Sequence, residues 1–139
     1  MKLIKLLILF IPLVASASER ELDCLAKNIY YEARGESALG QMAVALVTLN
    51  RVHSKAYPNS ICRVVYQPDQ FSWTSGEHYL IKDKTAYKEA KAIARYVYKG
   101  YDVFRNMNEA IYYHSVDIHP SWVKGLTRIG RIDNHVFYK

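Results

Sequence analysis

Glu32 stands in the segment Tyr30-Tyr31-Glu32-Ala33-Arg34-Gly35-Glu36, seven residues after Leu25 and three after Ile29. On an α-helix that spacing puts it about 20° from Leu25, on the face that carries the apolar residues. An ionised carboxylate there is short of water, so its pKa should rise and the group should hold its proton near neutrality. A protonated carboxyl beside a glycosidic oxygen can protonate the leaving sugar as an oxocarbenium-like transition state forms. The residues alone leave a second reading open, a helix-end glutamate paired with Lys27 or Arg34.

Other groups could complete such a site. Glu36 follows Gly35 and precedes an apolar run, a place where a carboxylate favours the positive end of the next helix or contacts a substrate. A carboxylate pair for glycoside cleavage is spaced about 5 Å or roughly 6.5 to 9.5 Å across the substrate. Asp69, Glu77 and Asp117 are further candidates, and nothing in the sequence ranks them. Gln70-Phe71-Ser72-Trp73 and Tyr112-Tyr113-His114 combine aromatic faces with amide, hydroxyl and imidazole groups, the mixture that sugar rings favour. With 12 tyrosines in the chain, a groove lined by aromatics is one use for them, and core packing is the other. His114, Asp117, His119 and His135 match no zinc-binding spacing, so no metal and no cofactor are expected.

The elements that must position these groups can be read from periodicity. Ser18-Glu19-Arg20-Glu21 has the form of a capping box and predicts a helix start, with Leu22, Leu25, Ala26, Ile29, Tyr30 and Ala33 on one face and Gly35 as its stop. A second helix is expected over Ala38 to Val52, and a short one through Ile61, Val64 and Val65 capped by Ser60. From Gln67 to Asp83 the composition predicts a loop with at most a short hairpin. Asp83 or Thr85 should open another helix, with Ala86, Ala90, Ile93, Ala94 and Val97 inward and Gly100 past its end. Ala110 to His114 and Leu126 to Tyr138 read as short strands around Gly130 and Asp133-Asn134. The fold class expected is α+β, mainly helical, with a minor sheet.

Length and charge narrow the class. With 139 residues there is room for one domain, and Met1 to Ala17 reads as a signal peptide: Lys2 and Lys5, an apolar run from Leu6 to Ala15, then Ala15-Ser16-Ala17 before cleavage. The run is shorter than the roughly 20 residues a membrane span needs. The alternative is an uncleaved anchor. Cleavage removes two lysines and no acid, so the net charge falls from +6 to +4 and residues 18–139 remain basic. Export and the lack of any Arg- or Lys-rich run argue against nucleic acid and for an anionic wall or membrane surface. In an oxidising compartment the two cysteines, Cys24 and Cys62, should form a disulfide. Closing a loop of about 39 residues would stabilise by on the order of 4 kcal/mol on the chain-entropy model. Two buried thiols are the alternative.

Several ordered blocks resemble the SleB-type cell-wall hydrolases, which include spore-cortex-lytic enzymes and phage lysis proteins. They are Ala26 to Glu36, Gly40 to Ala45, Thr48 to Val52, Tyr57-Pro58, Gln70 to Trp73, Tyr112 to His114, Pro120-Ser121-Trp122 and His135 to Tyr138. The resemblance implies a lysozyme-like fold related to lytic transglycosylases, with Glu32 as catalytic acid. It also implies cleavage between N-acetylmuramic acid and N-acetylglucosamine, with the muramyl C6 hydroxyl closing a 1,6-anhydro ring and no second carboxylate obligatory. One departure is Ile132-Asp133 where family members often have Ile-Gly. The expected protein is an exported, monomeric enzyme acting on peptidoglycan strands at the wall, with Glu36, Gln70, Phe71, Trp73, Tyr113 and His114 contacting substrate. It is not expected to stay on the membrane after signal cleavage. Competing readings are a muramidase at the same bond, a non-catalytic wall-binding protein and a membrane-anchored lysis regulator.

Overall fold

The computed structural model describes residues 13–76 and 80–139, with side chains from Ser18 onward. Four helices, α1 (Leu13–Ala33), α2 (Ala38–His53), α3 (Ile61–Val65) and α4 (Lys84–Tyr98), are followed by strands β1 (Tyr112–Ser115), β2 (Arg128–Ile132) and β3 (His135–Tyr138). The architecture is α+β and mainly helical. No described helix is long and apolar enough to cross a membrane.

Helix α1 begins at Leu13, so Ser18 lies inside it and is not its N-cap as the sequence suggested. The stretch from Leu13 to Ala33 has no glycine or proline to stop the helix propagating backwards. Met1 to Pro12, most of the expected signal segment, lie outside the described residues. Glu21, the acid of the expected capping box, reaches another helix instead: its carboxylate accepts from the backbone N–H groups of Ile61 and Cys62 at the start of α3. An acid at that positive helix end complements the Ser60 side-chain cap, which accepts from Arg63 N. A disulfide between Cys24 and Cys62, Cα atoms 5.2 Å apart, joins α1 to α3 at the same place.

The core forms where α1, α2 and α4 pack together. Leu25, Ala26, Ile29 and Ala33 of α1 meet Ala43, Val44 and Val47 of α2 and Ala90, Ala94 and Val97 of α4. Alanine on all three helices lets their axes come close, and the branched residues fill what remains. Ser37 caps α2 by accepting from Gly40 N, and Asp83 caps α4 by accepting from Ala86 N. The expected loop after Gln67 contains a 3-10 turn at Ser72–Ser75 and no strand among its described residues.

The sheet has order β1-β3-β2, both pairs antiparallel. Central β3 is buried at every position. Asn50 of α2 holds the chain ahead of β1, its amide donating to the carbonyls of Met107 at 2.8 Å and Ala110 at 2.9 Å. The β2–β3 turn is tied to the α1–α2 junction. Ser37 donates through N and Oγ to Asp133 Oδ2 at 2.8 and 2.6 Å, and Asn134 donates through N and Nδ2 to the Glu36 carboxylate, both at 3.2 Å. The turn lies so close to α2 that a Cβ on Gly40 would meet Asp133 Oδ2 at 2.3 Å. Gly40 therefore lets the sheet dock where it faces the end of α1.

Candidate active site

Glu32 sits in the last turn of α1, which Gly35 ends with φ +90°. Across the junction, Tyr113 of β1 donates its hydroxyl to Glu32 Oε2 at 3.0 Å. Burial raises the Glu32 pKa and outweighs two opposing influences, the Tyr113 hydrogen bond and the positive charge of Arg51. Burial and the neighbouring carboxylate push the Tyr113 hydroxyl well above its ordinary value, so it stays a donor. The pair is a carboxyl whose hold on its proton is strengthened by burial, with a built-in hydrogen-bond donor for its anion.

Glu32 opens onto a cleft of about 310 Å³ with walls from both halves of the molecule. Arg51 and Glu32 come from helices, Gln70 and Phe71 from the loop, and Tyr113, His114, Ile118, Trp122 and His135 from the sheet and its connections. A second hollow shares Glu32, Gln70 and Phe71 and extends to Asp69, Ser72 and Ser75. A third shares Arg51, Gln70, Tyr113 and Trp122 and extends to Asp69 and Tyr112. The hollows share lining residues, so the carboxyl stands along an extended groove.

Arg51 is only 6 % exposed. Its Nε donates to the Ile111 carbonyl at 2.8 Å and its Nη1 to Gln70 Oε1 at 3.2 Å, while the guanidinium lies over the rings of Tyr57 and Phe71. It thus fixes Gln70 and supplies positive charge near Glu32. His114 has Nδ1 2.7 Å from the Ser115 carbonyl and Nε2 2.9 Å from the Tyr138 hydroxyl. A carbonyl only accepts, so Nδ1 donates to it, and in the neutral ring Nε2 accepts from Tyr138. His135, edge-on to Tyr113, has a buried Nδ1 without a partner, and burial lowers its pKa.

Three sequence candidates stand elsewhere. Trp73 stacks on Tyr31 at 4.7 Å and donates to Asn28 Oδ1 at 3.0 Å, pinning the loop to α1 rather than lining the cleft. Asn28 is itself buried and donates to Thr48 Oγ1 at 3.3 Å. Glu36 is occupied by Asn134 and lies outside the cleft lining. Asp117 is exposed beyond the end of β1, whereas Asp69 lines two of the hollows; Glu77 lies outside the described residues. Among the described residues no group of three His, Cys, Asp or Glu side chains is arranged to hold a metal ion. Arg51, Ile118 and Trp122 were not singled out from sequence as cleft residues. For Arg51 a signal existed: a charged residue following Val47 at helical spacing in the last turn of an apolar helix.

A helical core carrying one desolvated carboxyl, closed by a three-stranded sheet that supplies its hydrogen-bond partner, defines a lysozyme-like domain. The chain belongs to the Cell Wall Hydrolase family, whose model matches residues 35–138. That match begins just past Glu32. The spore cortex-lytic enzyme of Bacillus subtilis is 38% identical over 122 residues, covering 86% of this chain and 38% of that protein. Its counterpart in Bacillus cereus is 36% identical over 124 residues, covering 88% of this chain and 45% of that protein. The chain thus spans less than half the length of these relatives. Among solved structures, the catalytic domain of the germination-specific lytic transglycosylase SleB from Bacillus anthracis superposes with TM-score 0.74 at 31% identity, covering 87% of this chain and 95% of that one. The Bacillus cereus SleB catalytic domain gives TM-score 0.68 at 34% identity, covering 87% and 91%.

Proposed function

We propose that this domain is a peptidoglycan lytic transglycosylase, cleaving between N-acetylmuramic acid and N-acetylglucosamine with Glu32 as acid and then base. The observation that carries this reading is a carboxyl, Glu32, set into the wall of a groove beside a hydroxyl that can stabilise its anion, where burial raises its pKa. Protonated Glu32 donates to the glycosidic oxygen as the muramyl C1–O bond breaks. The resulting carboxylate is held by Tyr113 and by the charge of Arg51, facing the cationic sugar. It then takes the proton of the muramyl C6 hydroxyl as that oxygen attacks C1, which restores the protonated carboxyl and leaves a 1,6-anhydro end. Gln70, Phe71, Tyr113 and His114 are the proposed substrate contacts. Trp73 acts by bracing their loop.

A muramidase at the same bond is the second reading, favoured by Asp69, the other carboxylate along the groove. The rest of the proposal is an exported protein, periplasmic or extracellular, with residues 1–17 a cleaved signal and residues 18–139 working as a monomer at the wall. Digestion of purified peptidoglycan by wild type and by Glu32→Gln, with products read by mass spectrometry, tests the chemistry. Muropeptides one water lighter than reducing-end products, absent with the variant, are expected. Hydrated muramic ends would select the muramidase, and release by neither protein from several wall types would sink both.

A further inference from the structure

Helix α4 has a second face that the proposed chemistry does not use. Lys84, Lys88, Lys91, Arg95 and Lys99 follow one another at spacings of four, three, four and four residues, and all are exposed. At 100° per residue they fall within an arc of about 80°, on the side of α4 away from buried Ala90, Ile93, Ala94 and Val97. The stripe is about 22 Å long at 1.5 Å per residue. Helix α4 packs on α1 and α2, and none of the five side chains lines the groove that holds Glu32.

Little neutralises this row. Glu19 lies 3.6 Å from Arg95, and Asp23, which faces Lys91, is already bonded to Lys27 and to the Tyr87 hydroxyl. Among the described residues no acid lies within ion-pair distance of Lys84, Lys88 or Lys99. Like charges at i, i+4 cost helix stability, so a helix left with this pattern lacks the pairing that would favour it. The exposed side of α4 carries no aliphatic side chain larger than alanine, and its exposed rings, Tyr96 and Tyr98, end in hydroxyls, so it offers no apolar wedge for insertion between lipids.

We propose that the α4 stripe is a second wall-binding surface, which docks the free carboxylates of peptide stems on strands next to the one being cut. This rests on the reading of the protein as a wall enzyme. A row of cations on one face and a glycan groove on another would hold the domain on an insoluble anionic mesh between cleavage events, gaining affinity through simultaneous engagement.

The test compares wild type with the triple variant Lys84→Gln, Lys88→Gln, Lys99→Gln, which spares Arg95, paired with Glu19, and Lys91, whose ammonium lies over the Tyr87 ring. Binding is read by co-sedimentation with purified peptidoglycan free of attached polymers, before and after the stem carboxylates are amidated. Turnover is read on a short soluble glycan. The variant should bind native wall about tenfold more weakly, with a flatter salt dependence. Amidation should weaken wild type equally, Lys→Arg at the same positions should restore binding, and turnover of the soluble glycan should be unchanged. Equal binding by the variant, indifference to amidation, or a preference for anionic vesicles over wall would each overturn the proposal. Stripe-dependent binding without any turnover would leave it standing and would instead remove the lytic reading.

Discussion

The three-helix core and the seam between helices and sheet bury different chemistry. The core encloses Ala, Val, Leu and Ile from α1, α2 and α4 and is cross-linked by a disulfide. The seam where those helices meet the sheet and the loop before α4 buries polar groups: Arg51 of α2 bonded to Gln70, Asn28 of α1 bonded to Trp73, His135 without a partner for Nδ1, and Tyr113 on Glu32. Apolar burial stabilises without regard to direction, whereas each buried polar group depends on one partner at one place. The three-helix core should therefore govern stability, and the seam that holds Glu32 should govern reaction rate.

The sharpest separation comes from Glu32→Gln, which keeps the volume and removes the proton. Cleavage should fall by about a thousandfold or more, roughly 4 kcal/mol of transition-state stabilisation, with wall binding and melting temperature little changed. Product release by mass spectrometry beside a thermal melt reads both. Opening the Cys24–Cys62 disulfide should do the reverse. A loss of roughly 4 kcal/mol would lower the melting temperature by about 15 °C while activity well below the melt is retained, and an unchanged melt would show that the bond contributes no stability.

Gly40→Ala probes the seam between helices and sheet. The added methyl would collide with Asp133, so the turn must shift, at a cost of about 2 kcal/mol, and activity should fall with stability because Tyr113 moves with the sheet. If the melt changes and turnover does not, the tether of the turn does not position the site.

Tyr113→Phe should leave the fold intact and slow cleavage about tenfold, or roughly 1.4 kcal/mol. Its pH profile carries the diagnostic. The lost hydrogen bond lowers the Glu32 pKa in the wild type, and activity needs the protonated acid, so removing it should move the alkaline limb to higher pH. A limb that stays in place would mean that Glu32 does not set it. The smallest effect expected is on acid stability through His135. Its folded pKa lies below the ordinary 6.5, so the unfolded chain takes up the proton first and stability should drop as pH falls below about 6.5. His135→Gln should flatten that part of a melting-temperature profile.

Much of the fold was legible because helix formation is local. The face formed by Leu25, Ile29 and Ala33, the caps at Ser60 and Asp83, and the placement of Glu32 beside buried neighbours all follow from spacing along a few turns. The start of α1 was misread because Ser18 and Glu21 satisfy a capping pattern that works only where a helix has reason to begin. Glu21 was used by α3, forty residues away, which no local pattern encodes.

By itself the sequence determined the helical class, the strand-rich last third, the two cysteines, the net charge and the presence of one carboxylate on an apolar face. Only the tertiary structure decided which groups stand around that carboxylate. The Asp133 turn illustrates why. At φ +48° it occupies a backbone region that glycine favours and aspartate tolerates, and its carboxylate then anchors Ser37 across 96 residues of sequence. Sheet register and loop docking are fixed by such distant partners, so the meeting of Tyr113, Arg51 and Glu32 emerges from packing, where periodicity carries no information.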